Sequence, residues 1–138
     1  MKVNPKGIDH VMVTVGDLDV AKQFYEEILG LEKMECPVKD GQRVWYKIGY
    51  QQLHVNLQEK HHKAGFCHFA IAIDADEYHE YAKHVAATGY KLSCESQQFD
   101  DGIYRFFLDD PFSNTVEIHQ AYRNDVISTL KCNDHKDA

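Results

Sequence analysis

The chain repeats itself, and an internal repeat limits its architecture more than any other feature, because one supersecondary unit must be built twice. Gly7-Ile8-Asp9-His10, followed by alternating apolar residues, corresponds to Gly65-Phe66-Cys67-His68, followed by Phe69, Ile71 and Ile73, with 58 residues from one histidine to the other. Each histidine opens a strand-like run. The parallel continues into residues 17–29 and 76–87, where apolar side chains recur at helical spacing. Val20, Ala21, Phe24, Tyr25, Ile28 and Leu29 make one stripe, and Tyr78, Tyr81, Ala82, Val85 and Ala86 the other. Asp74 and Glu77 have the spacing of a capping box, and Gly30 and Gly89 stand where a left-handed C-terminal cap favours glycine.

Three further strands are expected after each helix: 32–38, 43–48 and 52–57, then 90–95, 103–108 and 115–119. Asp40-Gly41 and Asp101-Gly102 supply turns at matching places. The order is therefore βαβββ twice, an α+β protein whose curved mixed sheets are expected to surround a cavity. We expect one domain over 1–138, with module 1 at about 7–58, module 2 at about 65–120 and a tail at 121–138. In the tail, Val126, Ile127 and Leu130 could pack a short helix on the body.

A length of 138 residues suits one domain, and 43 % apolar with 27 % charged residues is ordinary for a folded chain. The formal net charge of -7 opposes nucleic acid, and the one basic cluster, Lys60, His61, His62 and Lys63, reads as a solvated loop. No run approaches the roughly 20 apolar residues of a membrane span, and the N-terminus lacks a signal-peptide core, so the expected location is the cytoplasm. Cys36, Cys67, Cys94 and Cys132 form no CxxC pair and are expected as reduced thiols.

Side chains alternate faces along a strand, so parity separates the helix-packed face from the open one. His10 shares a face with Met12 and Thr14, opposite Val11, Val13 and Val15; His68 shares one with Ala70 and Ala72, opposite Phe69, Ile71 and Ile73. In the last strands, Gln52, His54 and Asn56 oppose Leu53, Val55 and Leu57, and Thr115, Glu117 and His119 oppose Val116 and Ile118. A glutamate in such a strand costs roughly several kcal/mol unless paired or bound to a cation. The repeat aligns His10 with His68 and His54 with Glu117. These four, borderline nitrogen and oxygen donors, are expected to converge on one divalent metal ion: zinc, nickel, iron, manganese or cobalt.

The sequence resembles the vicinal oxygen chelate superfamily, which includes glyoxalase I, methylmalonyl-CoA epimerase, extradiol dioxygenases and the bleomycin- and fosfomycin-resistance proteins. The resemblance covers about residues 7–120 and rests on Ile8-Asp9-His10-Val11, Asp17-Leu18, Ala21, Phe24-Tyr25, Leu29-Gly30-Leu31, Gly65-Phe66-Cys67-His68, Asp110-Pro111, Asn114 and Val116-Glu117-Ile118. It implies metal ligands at His10, His68 and Glu117. His54 departs from the glutamate or glutamine of the isomerases, and Ser113 from the glycine of the family's turn.

Three functions are compatible with this reading. In a metal-dependent lyase or isomerase the cation polarises two substrate oxygens while Glu117, the expected catalytic base, moves a proton at the adjacent carbon. In an extradiol-type dioxygenase His10, His68 and Glu117 form the two-His, one-carboxylate set for non-haem iron. A sequestering protein would use Trp45, Tyr46, Tyr104 and Phe106 or Phe107 as an aromatic wall. Arg43, Tyr46, Tyr104, Arg105 and His119 are expected near the substrate, with parity leaving open which of Tyr104 and Arg105 faces inward; the arginines favour an anionic ligand. The expected partner is a small molecule, and the expected assembly a homodimer.

Overall fold

The computed structural model describes residues 8–59, 67–95, 97–99 and 102–121. Gly7, the basic cluster, Gly65, Phe66, Asp101, Cys132 and the expected tail helix lie outside the described residues. The chain divides into two compact units, Met1–His62 and Lys63–Ala138. Both are α+β, and each carries one mixed sheet.

The first unit runs β1 (His10–Val15), α1 (Leu18–Lys22), β2 (Glu32–Met34), β3 (Arg43–Ile48) and β4 (Gln51–Leu57), with sheet order β1-β4-β3-β2. Asp17 starts the helix, its Oδ1 accepting the Asp19 and Val20 amides at 2.9 and 3.1 Å. The expected helix 17–29 changes character part-way. Gln23–Ile28 is π-helical, with the Leu29 amide donating to Phe24 O at 2.9 Å. The wider turn lets the consecutive rings of Phe24 and Tyr25 both become fully buried. Gly30, at φ 72°, ends the helix as expected. Strand β2 stops at Met34 rather than 38, ahead of Pro37, which has no amide to give to a ladder.

The second unit runs β5 (His68–Ile73), α2 (Tyr78–Ala87), β6 (Arg105–Asp109) and β7 (Thr115–Gln120), with order β5-β7-β6. Asp74 forms no capping box: Glu77 is the N-cap without a side-chain bond, and only Asp74 O meets the Glu77 amide, at 3.1 Å. The expected strand 90–95 is reduced to a bridge in which Ser93 and Phe107 exchange backbone hydrogen bonds at 3.0 and 3.1 Å. Cys94 follows at φ 69°, a left-handed conformation that breaks the extended chain. Strand 103–108 is shifted to Arg105–Asp109, Tyr104 only bridging Gln98.

Ser113 is left-handed, φ 66°, where glycine is the easier residue. Buried Asp110 holds the turn in its place: Oδ1 accepts the Phe112 and Asn114 amides, both at 2.8 Å, and Oδ2 accepts Asn114 Nδ2 at 2.7 Å. Strand β7 follows directly from this clamp.

Helix α1 packs on β3 and β4, and the core of the first unit is Val13, Val15, Phe24, Tyr25, Val44, Tyr46, Leu53 and Val55. In the second, Tyr78 and Tyr81 of α2 meet Phe106, over Val116 and Ile118. No described helix is long and apolar enough to cross a membrane. Cys36, Cys67 and Cys94 are free thiols.

Candidate functional site

With helices on one face, each sheet presents the opposite face as rows of side chains fixed by the register. In the first unit the rows are His10, Gln52 and Lys47; Met12, His54 and Trp45; and Thr14, Asn56 and Arg43. In the second they are His68, Thr115 and Asp109; Ala70, Glu117 and Phe107; and Ala72, His119 and Arg105. The duplication thus extends to individual positions. His10 and His68 are equivalent, as are His54 and Glu117, Trp45 and Phe107, and Arg43 and Arg105.

Each unit brings its two candidate ligands into contact. The His10 and His54 rings stack at 4.1 Å, and His54 stacks on Trp45 at 3.8 Å with 3° between planes. His10 Nδ1 meets Asp9 Oδ2 at 2.7 Å and His54 Nε2 meets Gln52 Oε1 at 2.8 Å. Both partners are acceptors, so these nitrogens carry the protons, and His10 Nε2 and His54 Nδ1 keep their lone pairs. This is the tautomer control that metal-ligating histidines have. In the second unit, His68 Nε2 lies 3.0 Å from Glu117 Oε2 and Arg105 Nε 3.7 Å from Oε1, while the Glu117 side chain is only 10 % exposed. Arg105 is capped on another side by the Phe99 ring, 4.6 Å from its guanidinium carbon. His119 Nδ1 donates to Gln120 O at 2.7 Å.

Among the described residues no three His, Cys, Asp or Glu side chains are gathered closely enough to hold a metal ion. Of the four expected ligands, His10 and His54 lie together in the first unit and His68 and Glu117 in the second. The donor chemistry of both pairs fits a borderline divalent cation: imidazoles with fixed tautomers in one, an imidazole and a largely buried carboxylate in the other.

Two expected substrate contacts lie on the wrong face. Tyr46 is fully buried towards the helix, and its hydroxyl donates to Glu26 Oε1 at 3.0 Å. Burial, and then the Glu26 carboxylate, push its phenol far above the ordinary range. Tyr104 packs on Tyr78 and His79 of α2 at 6.0 and 4.8 Å, so Arg105 is the member of that pair beside Glu117. Sequence reasoning missed Asp9 and Gln52 as acceptors for His10 and His54. For Gln52 the signal was there, two residues before His54 on the same face.

His54 has its pKa lowered from 6.5, first by burial and then by the neighbouring charge of His10. The folded state therefore binds this proton less readily than the unfolded chain, and the contribution to stability falls as pH drops below about 6.5, levelling off beneath the lowered value. In metal-free protein the His54 ring resonances are expected to titrate with a midpoint below 6.5. A midpoint above it contradicts the stacked, desolvated environment.

Residues 7–118 match the family model of the Glyoxalase/Bleomycin resistance protein/Dioxygenase superfamily. A structure from Bacillus anthracis, described as of the glyoxalase family, is similar at 27 % identity and a TM-score of 0.76, covering 87 % of this chain and 98 % of that one. Lactoylglutathione lyase from Agrobacterium tumefaciens is similar at 27 % identity and a TM-score of 0.70, covering 86 % and 96 %. The fold is shared with the fosfomycin resistance protein FosX of Listeria monocytogenes, a variant of which is complexed with Mn(II) and 1S,2S-dihydroxypropylphosphonic acid; there the identity is 18 %, the TM-score 0.66 and the coverage 82 % and 88 %.

Proposed function

Because the chain belongs to the Glyoxalase/Bleomycin resistance protein/Dioxygenase superfamily, we propose that it is a metal-dependent lyase or isomerase of the glyoxalase-like type, acting on a small substrate with two neighbouring oxygens. The observation that carries this reading is Glu117, a carboxylate 10 % exposed on a paired central strand, with His68 at 3.0 Å and Arg105 at 3.7 Å. Such a group is too costly to bury for packing alone. His10, His54, His68 and Glu117 are the residues that would hold a divalent ion, and the ion would supply Lewis-acid polarisation of the substrate's oxygens. Glu117 takes the proton from the carbon beside them and returns it to the adjacent carbon. With His54 at the position equivalent to Glu117, one carboxylate is available, which favours a one-base shift over two-base racemisation. Arg105 places positive charge next to the base and beside the substrate. A cytoplasmic homodimer completes the reading.

The test combines metal analysis of protein purified without chelator with incubation in deuterium oxide. Lactoylglutathione and small 2-hydroxycarbonyl compounds serve as substrates, followed by proton NMR. The expected result is a bound divalent metal and metal-dependent exchange of the carbon-bound proton. Metal without any exchange, alongside oxygen consumption on catechols, overturns the reading in favour of an extradiol-type dioxygenase. One observation favours that alternative: His54 is sandwiched between the rings of His10 and Trp45, which crowds its approach to an ion and favours His10, His68 and Glu117 as the two-His, one-carboxylate set. Tight binding without turnover of either kind identifies a sequestering protein.

A further inference from the structure

One row of the first unit's open face is not explained by metal binding. Arg43 and Asn56 are directly paired across β3 and β4, and Trp45 stands two residues from Arg43 on the same face. Three side-chain atoms in this patch, Arg43 Nε, Trp45 Nε1 and Asn56 Oδ1, are buried and have no hydrogen-bond partner. Directly opposed side chains on a sheet lie about 5 Å apart and diagonal ones about 7 Å, so the three groups can reach a single small ligand. An unmet buried polar group costs roughly 1–3 kcal/mol, which makes three in one patch an anomaly that requires a partner.

The orientation of the donors is constrained from outside the patch. Arg43 Nη2 is engaged by Asp40 Oδ2 at 3.0 Å, and Asp40 is itself fixed by the Gln42 amide on Oδ1 at 2.9 Å, so the turn holds one corner of the guanidinium and leaves Nε to the row. Trp45 is held flat on His54 by their 3.8 Å stack, which fixes the line of its indole N–H. Two rigid N–H donors, one of them cationic, call for an oxyanion. The acceptor Asn56 Oδ1 calls for a hydroxyl donor on the same molecule.

We propose that Arg43, Trp45 and Asn56 form a subsite for a 2-hydroxycarboxylate, the anion meeting Arg43 and Trp45 and the hydroxyl meeting Asn56. The subsite is a binding position apart from the one at which an ion would polarise substrate oxygens, and rests on the functional reading above only in taking this face as the substrate face. It requires no metal ligand.

Trp45 is the single tryptophan of the 138 residues, so this chain has one indole N–H resonance to follow. The test titrates chelator-treated, nitrogen-15-labelled protein with lactate, propanoate and 1,2-propanediol. Lactate is expected to shift the indole proton saturably, propanoate to bind about tenfold more weakly for want of the hydroxyl, and the diol to leave the signal unmoved. Asn56→Ala is expected to erase the preference for lactate over propanoate, and Arg43→Met to weaken both about tenfold or more. Arg43→Lys, which keeps the charge without the planar donor, serves if the methionine variant does not fold. An indole proton that no anion moves, or lactate binding unchanged in Asn56→Ala, overturns the subsite, with water then the partner of these groups. Lactate binding that appears only after metal is added, and is lost in His68→Ala, also overturns it by placing the anion at the metal. Because the titration is metal-free, absence of metal in the purified protein sinks the functional reading without touching this result.

Discussion

Glu117→Gln is expected to lower turnover about 10²- to 10⁴-fold while the protein retains most of its metal. The amide keeps an oxygen donor of nearly the same shape but cannot accept a proton. Loss of the carboxylate charge beside Arg105, 3.7 Å away, adds to the effect on rate and little to the fold, since Arg105 keeps its stack on Phe99. His54→Ala provides the contrast. It removes a candidate ligand and the centre of the His10–His54–Trp45 stack, so metal affinity falls while residual activity persists. Metal content measured beside rate for both variants decides the matter. Equal losses of metal and activity in the two variants would sink the base assignment, and joint loss of both in Glu117→Gln indicates the oxygenase.

Tyr46→Ala is expected to destabilise the protein by about 3–5 kcal/mol, as truncation of a fully buried aromatic residue does. Tyr46 is fully shielded and packs on Tyr25 at 5.7 Å, and its hydroxyl is the partner of Glu26 on the π-helical turn. Its removal therefore leaves a cavity and an unpaired carboxylate together. Ligand affinity per folded molecule is expected to be unchanged, because the side chain is on the helix-packed face. Denaturant unfolding gives the first quantity and ligand titration well below the transition the second. A stability loss under 1 kcal/mol, or a large drop in affinity without one, would return Tyr46 to the substrate wall.

Parity made the faces of the candidate ligands legible in the sequence. A strict period of two placed His10, His54, His68 and Glu117 on the faces away from the helices, and the register confirms those faces. The tyrosines were less legible. Membership of the middle strands points to Tyr46 and Tyr104 as much as to the arginines, and only the register, with Trp45 across from His54 and Arg105 across from His119, sets the tyrosines on the other face. Elements whose ends depend on a single backbone conformation were less legible. The left-handed Cys94 that curtails strand 90–95 has no signature comparable with glycine, and neither does Ser113, which needs the Asp110 clamp. The π-helical turn was invisible because its apolar residues satisfy the ordinary helical spacing almost as well.

Strand order has a mechanical consequence for the candidate ligands. His54 and Glu117 are on β4 and β7, each hydrogen-bonded to a neighbour on both sides, whereas His10 and His68 are on β1 and β5, the end strands of their sheets. A strand laced on both flanks resists displacement; a terminal strand can fray or be tugged by whatever lies along its outer margin. The side chains are graded in the same sense: His10 is 45 % exposed and His68 43 %, against 10 % for Glu117. The candidate ligands are thus half anvil and half hinge, a stiff histidine and carboxylate on inner strands and two compliant imidazoles on outer ones. Slow amide exchange in β4 and β7 beside faster exchange in β1 and β5 is the footprint of that division.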